Sequence, residues 1–149
     1  AIELGRTTWR IVCHRDAPVG AAPSVTWADI DEFPLVRVST HTGNRMMIDD
    51  ALGSRRETLK WRYEVQHIAS AIAVVRSGMA MAVIPRMALN SAEMTGLRVK
   101  ELRNPSVGRQ IGIVSKRAAP LSALANDLRR LVVKELAARN RAASGKDAV

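Results

Sequence analysis

The chain has 149 residues, of which 47% are hydrophobic and 25% charged, so it is long and apolar enough for one folded domain with its own core. Its one cysteine, Cys13, cannot form a disulfide within the chain, which favours a reducing compartment and a cytoplasmic protein. The net charge is +9, and no apolar run approaches the length of a membrane-spanning helix, which excludes an integral membrane protein of that kind.

The first third of the chain predicts two strands separated by a loop and a short helix. Arg6–His14 is apolar and β-branched enough for a strand, whereas Asp16–Ser24 is rich in Pro, Gly and Ala and is predicted to be a loop. Thr26 opens a segment that resembles a capping box, so a short helix should begin there and end before Pro34. Leu35–Ser39 then predicts the second strand.

The middle of the chain predicts alternating helices and strands. Asn44 can cap a helix over Arg45–Ser54, and Lys60–Val65 predicts a strand. His67–Ser77 carries apolar residues at helical spacing. Gly78 follows at the position where helices commonly end in a left-handed residue.

The last part completes the predicted sheet. Ala80–Ile84 is apolar on both faces, as buried strands of parallel sheets are, and Leu97–Leu102 and Arg109–Ser115 predict two more strands. Ser122 can cap a final helix with a leucine stripe, and Arg139–Val149 is expected to be frayed or disordered. The element order predicts an open, mostly parallel α/β sheet with right-handed crossovers and helices on both faces.

The residue types that carry catalysis or bind metals show no recognisable spacing. There is no Gly-x-Ser-x-Gly elbow and no phosphate loop, and His14, His41 and His67 are far apart without metal-ligand spacing. Cys13 lies within a predicted strand, where a small buried hydrophobe is the default interpretation. We therefore expect no enzymatic activity, no metal and no cofactor.

Two polar loops follow neighbouring predicted strands. One is Ser39–Arg45 and the other is Gln66–His67, and each leads into a predicted helix. Unbonded backbone N–H groups and the helix dipole at such positions favour a carboxylate, a phosphate or another anion. The alternative is that Thr40, Thr42 and Asn44 only cap the helix and that the histidines are ordinary surface residues.

The positive charge is concentrated in the last third of the chain. Eleven Lys and Arg residues are matched by ten Asp and Glu residues up to Leu97, whereas twelve are matched by only four from Arg98 onward. This basic third is either a solvated face or a nucleic-acid interface. The first interpretation is favoured because no aromatic residue follows Arg98 to provide a stacking platform.

Four segments follow one another along the chain: VTWADIDEFPLVRVS, VRSGMAMAVIPRMAL, LRNPSVGRQIGIVSKR and APLSALANDLRRLV. In this order they resemble the effector-binding domain of LysR-type transcriptional regulators. CHRDAPVG is similar to the family's loop after its hinge strand, with Ala17-Pro18 in place of the usual His-Pro pair. The resemblance runs from about Trp9 to Leu136.

The resemblance implies a fold like that of the type 2 periplasmic binding proteins, with two α/β subdomains joined by two crossing strands. Residues 1–16 would be the first hinge strand and the exit from the first subdomain, and residues 17–106 the second regulatory subdomain. Residues 107–138 would be the returning hinge strand and C-terminal helix of the first subdomain, and residues 139–149 a flexible basic tail. The winged helix-turn-helix, the linker helix and the first half of the first subdomain are expected to be missing from this chain.

The resemblance also implies a function. A small, anionic metabolite would bind in the cleft between the subdomains and change the geometry of a homodimer or homotetramer. Promoter DNA would be bound through the missing N-terminal domain, and no membrane would be involved. The effector-binding residues implied by the resemblance are Thr40, His41, Thr42, Asn44, Gln66 and His67. The alternative from another functional class is a transport solute-binding protein of the same fold.

Overall fold

A computed structural model describes residues 1–38, 44–116 and 120–144. The chain forms two compact units. The larger is Thr7–Gly108, and the smaller combines Ala1–Arg6 with the chain from Arg109 onward. The division predicted from the resemblance, with boundaries at residues 16, 106 and 138, stays a prediction.

The described residues form seven strands and three α-helices, joined by short 3-10 turns. The strands are β1 (Ile2–His14), β2 (Val25–Thr26), β3 (Leu35–Val38), β4 (Trp61–Val65), β5 (Met81–Pro85), β6 (Leu97–Arg103) and β7 (Gly108–Ile113). The helices are α1 (Asn44–Leu52), α2 (Ile68–Arg76) and α3 (Ala123–Ser144). These elements agree in kind and order with most of the sequence prediction.

The sheet of the larger unit has the strand order β2-β6-β1-β5-β3-β4. β3 is parallel to β4 and to β5, and β2 is parallel to β6. β1 runs antiparallel to both of its neighbours, β5 and β6, which the sequence prediction did not include. The predicted α/β fold class is confirmed.

The core lies on both faces of this sheet because side chains alternate along each strand. One cluster contains Trp9, Ile11 and Cys13 of β1 and is covered by Ile48 and Leu52 of α1. The other cluster contains Val12 of β1 and Val36 of β3 and is covered by Ala71, Ile72 and Val75 of α2. Helices therefore pack on both faces of the sheet. The ends of the strands are the places that these helices leave for ligand-binding loops.

Trp27 anchors the segment that was predicted to be a short helix. Its side chain is 0% exposed, and its indole N–H donates to the carbonyl oxygen of Pro105 at 2.9 Å. Thr26 and Asp29 exchange the hydrogen bonds of a capping box, with the Thr26 N–H donating to the Asp29 carboxylate at 2.7 Å. Bonds from the Thr26 N–H and hydroxyl hold the pKa of Asp29 below its ordinary value. The capping box is thus formed, but only one 3-10 turn, Ala28–Ile30, follows it.

Cys13 is fully buried in the middle of the sheet, as the sequence predicted. Its Sγ lies 3.8 Å from the carbonyl oxygen of Arg98 on β6. Burial raises the pKa of this thiol, and the nearby charges of Arg98 and Lys100 oppose that effect without overcoming it. A protonated, inaccessible thiol is a packing residue and a poor nucleophile.

The final helix begins as predicted, because the Ser122 hydroxyl accepts a hydrogen bond from the Ala125 N–H at 3.2 Å. Three leucines of its apolar stripe, Leu124, Leu128 and Leu131, are 79%, 61% and 64% exposed. The helix continues to Ser144, into the segment expected to be frayed. Residues 145–149 lie outside the described part.

Candidate functional site

The two predicted loops leave the same edge of the sheet. β3 and β4 are parallel, and their last residues, Val38 and Val65, are partners in the register. The chain therefore passes from β4 into α2 beside the point where it leaves β3. We call this edge, formed by the ends of β3, β4 and β5, the carboxyl edge.

Two of the six candidate ligand-contacting residues can be placed there. Thr40, His41 and Thr42 lie outside the described residues, and Asn44 is the first residue of α1. Gln66 and His67 both connect β4 to α2 and are exposed. Contact of any of these residues with a ligand stays a prediction.

At the N-terminus of α2, neither the capping residue nor the first turn supplies a group that offsets the partial positive charge of the helix end. His67 occupies the N-cap position in an extended conformation, and its side chain makes no capping hydrogen bond. The first helical bond runs from the Ala71 N–H to the His67 carbonyl oxygen at 3.2 Å. No acidic residue lies in the first turn. The partial positive charge of the helix end is thus directed at whatever occupies this edge.

Two arginines that sequence reasoning missed add positive charge near the same edge. Arg10 of β1 is the register partner of Ile84 on β5, one residue before that strand ends. Its side chain is on the face covered by α2, because Ile84 packs in the α2 cluster, and it is only 9% exposed. Arg86 follows directly after β5 and is half-buried. The signal for Arg10 was present in the sequence, as an arginine between two apolar residues of a strand.

The charges on β3 and β4 themselves are largely neutralised by pairing. The Arg37 guanidinium lies 2.6 Å from the Glu64 carboxylate across the two strands. The helix N-terminus, Arg10 and Arg86 are the positively charged groups placed near the ends of β4 and β5. Such an arrangement can bind a carboxylate or a phosphate by hydrogen bonds and charge.

Within the described ranges, no three or more His, Cys, Asp or Glu side chains are grouped so that they could hold a metal ion. The helices of the described part include none that is both long and apolar enough to cross a membrane.

Comparison with known proteins gives a family. The profile described as "LysR substrate binding domain" matches residues 1–137. The Escherichia coli K12 protein called uncharacterized HTH-type transcriptional regulator YbhD is 27% identical over 123 residues, which cover 83% of this chain and 39% of that protein. A Shigella flexneri protein with the same description, YfeR, is 30% identical over 118 residues, covering 79% and 38%. The chain thus spans about two fifths of the length of these relatives.

Solved structures show the same fold at low sequence identity. The effector-binding domain of QuiR in complex with shikimate superposes with a TM-score of 0.68 at 17% identity, covering 93% of this chain and 63% of that one. The regulatory domain of Synechocystis PCC6803 CcmR in complex with 2-PG gives 0.70 at 11% identity, covering 90% and 65%. Reduced OxyR gives 0.65 at 18% identity, covering 93% and 63%.

Proposed function

Because the chain belongs to the LysR substrate-binding domain family, we propose that it is the effector-sensing domain of a LysR-type DNA-binding transcriptional regulator. We further propose that its effector is a small anionic metabolite. The observation that carries the second step is the uncompensated N-terminus of α2 at the carboxyl edge, with the buried Arg10 on the same sheet face. The shikimate bound by QuiR is itself a carboxylic acid, which supports the same ligand class.

In this proposal the effector is held by the two loops that end β3 and β4. Helix N-terminal N–H groups and the Thr40 and Thr42 hydroxyls would hold a carboxylate, and the remaining candidates would orient the rest of the molecule. The candidate residues are Thr40, His41, Thr42, Asn44, Gln66 and His67. The positive charge of Arg10, on the sheet face next to these loops, would attract the anion.

In the whole regulator, effector binding would shift the arrangement of two subdomains and so the geometry of a homodimer or homotetramer. On the resemblance, residues 17–106 form one of those subdomains, and residues 1–16 and 107–138 belong to the hinge and the other. DNA would be bound by an N-terminal domain of the whole protein, in the cytoplasm, with no membrane involved.

The alternatives have less support. The two curated relatives are described as transcriptional regulators, which does not favour a transport solute-binding protein. The hypothesis that the basic last third binds nucleic acid has less support because some of its arginines are paired with acidic residues within α3. There Arg130 lies 2.6 Å from Asp127, and Arg139 lies 3.0 Å from Glu135. These pairs favour the solvated basic face.

The proposal is tested by thermal unfolding of the 149-residue chain with shikimate, inorganic phosphate and a panel of other carboxylates and phosphate esters. At least one anion is expected to raise the midpoint temperature with saturable dependence on its concentration. Small neutral and cationic compounds without an aryl or alkyl group, such as glycerol and ammonium, are expected to leave it unchanged. A panel in which only cations or neutral compounds stabilise the chain contradicts an anionic effector.

Thr42→Ala in the intact regulator is expected to weaken the response to the effector about tenfold or more without unfolding the protein. The reason is the loss of one hydrogen bond to a charged group, which is worth about 1.5–3 kcal/mol. The measurement is the dose-response of a promoter reporter. Thr95→Ala, at an exposed turn before β6, is the matched control and should respond normally. An unchanged response in Thr42→Ala would remove this residue from the site.

A further inference from the structure

We propose a second small-molecule site at the opposite edge of the sheet, selective for a small amphipathic amine. A cavity of about 300 Å³ opens there within the larger unit. Its lining includes His14, Asp16, Phe33, Pro34, Met79 and Met81. The inference does not depend on the proposed effector site, because the two lie at opposite ends of β3 and β5.

The sheet topology creates this cavity. β1 runs antiparallel to β5, so the end of β1 at His14 meets the beginnings of β5 and of its parallel neighbour β3. The Met81 N–H donates to the Pro34 carbonyl oxygen at 2.9 Å and fixes the spacing of these two strand starts. Gly78, with φ of +79°, turns the chain from α2 into β5 and forms part of the wall. Three segments distant in sequence thus surround one space.

Two polar side chains stand among apolar walls. The His14 Nδ1 accepts a hydrogen bond from the Asp16 N–H at 3.2 Å. In a neutral imidazole this places the proton on Nε2, which leaves that atom as a donor. The Asp16 carboxylate is exposed and lies 3.7 Å from the His14 Nδ1 and 3.8 Å from the Arg15 side chain, both weak surface contacts. One donor and one carboxylate over an apolar floor is the composition of a ligand pocket.

The lining residues of this cavity favour a cation, because Asp16 is the one described member of that lining with a formal charge. Asp16 contributes a carboxylate, and α2 ends beside the cavity, where the helix dipole is negative. The nearest opposing charge on the helix, Arg76, donates to the carbonyl oxygens of Thr95 and Glu93 at 2.9 and 2.7 Å. It is therefore engaged with the turn before β6. A protonated amine is the group that this end of the sheet would recognise.

The apolar walls and the volume of the cavity determine what the ligand carries besides the amine. Phe33, Pro34, Met79 and Met81 offer a ring and flexible thioethers, and Met79 is 52% exposed. A cavity of about 150 Å³ accommodates benzene, so twice that volume suits a single ring with a short side chain, about a dozen non-hydrogen atoms. The ligand class is therefore an arylalkylamine or an aliphatic amine of similar size.

The test is an amide NMR titration of the 149-residue chain with 2-phenylethylamine, 2-phenylethanol and 3-phenylpropionate. The amine is expected to saturate with shifts confined to the amides of residues 14–17 and 78–81. It should bind about two- to fivefold more tightly than the alcohol, the size expected for an exposed ion pair. The carboxylate should bind more weakly than either at these amides.

Two variants separate charge from shape. Asp16→Asn is expected to abolish the preference for amine over alcohol, whereas Asp50→Asn, at an exposed position of α1, should keep it. Met79→Ala should lower the affinity for all three compounds by a similar factor. The proposal is overturned if no compound saturates, if the amine shifts residues 66–70 instead, or if Asp16→Asn keeps the preference. It is also overturned if these amides broaden with protein concentration alone, which would indicate contact with a second copy of the chain.

Discussion

Replacing Trp27 with alanine is expected to lower the free energy of unfolding by about 3–5 kcal/mol. The indole is fully buried among Ile30, Leu102 and other members of its core cluster, so its removal leaves a large cavity. The substitution also leaves the carbonyl oxygen of Pro105 without the indole N–H as a donor. Denaturant unfolding followed by circular dichroism measures the change.

Trp27→Phe is the matched control for this prediction. It keeps most of the apolar volume and loses the 2.9 Å hydrogen bond, so it should cost clearly less than the alanine variant. A Trp27→Ala protein within about 1 kcal/mol of the original would contradict the prediction, because cavities of this size cost more than that. In that case the tryptophan would not anchor the turn between β2 and β3.

Replacing Ser70 with glutamate is expected to stabilise the chain slightly while weakening anion binding strongly. Ser70 is exposed in the first turn of α2, three residues after the N-cap His67. A carboxylate at this position compensates the helix dipole and should add about 0.5 kcal/mol of stability. The same carboxylate repels an anion at the helix end, and Coulomb's law at an effective dielectric constant of about 20 predicts about tenfold to hundredfold weaker binding.

Ser70→Gln isolates the charge, since it has nearly the same shape and can form the same capping hydrogen bond. It should bind the anion nearly as well as the original chain. The anion used is whichever compound of the panel stabilises the chain, with calorimetric titration as the readout. Equal affinity of the glutamate and glutamine variants would show that the anion lies elsewhere, even where the glutamate raises stability.

The elements set by local signals were predicted well. α2 and β5 were found because Ile72 and Val75 repeat at helical spacing and Gly78 ends the helix in a left-handed conformation. The beginning of β1 was missed by four residues, because Ile2–Gly5 has a weak strand pattern of its own and belongs to a strand that pairs with the distant β7. The helix expected at Thr26 is a single 3-10 turn, Ala28–Ile30. A capping box indicates where a helix can begin but not how long it is, and here Trp27 and Ile30 are both buried in one core cluster next to the turn.

The sites, like the elements, could be predicted where a local pattern or a rule of topology applies and not where distant segments pair. The position of Gln66 and His67 at the carboxyl edge could be predicted because parallel strands bring the loops after them to one edge, which is a rule of topology. Arg10 reaches that edge only because β1 is antiparallel to β5, a pairing that no local pattern indicates. The cavity at the other edge needs residues near 14, 33 and 79 together, and nothing in their local sequences marks them as neighbours.

The reactivity of Cys13 can be used to measure how often the native protein opens. The chain has one thiol, and that thiol is sealed between β1 and β6 at the centre of the sheet. The turn at Gly20 packs over the Cys13 Sγ, so a labelling reagent can reach the thiol only when the protein opens locally or globally. The labelling rate therefore measures openings of the native protein under ordinary buffer conditions. Any compound that binds the closed form but not the open form lowers that rate in proportion to its occupancy. The unmodified chain can therefore be screened for ligands by mass spectrometry, with no dye and no engineered residue.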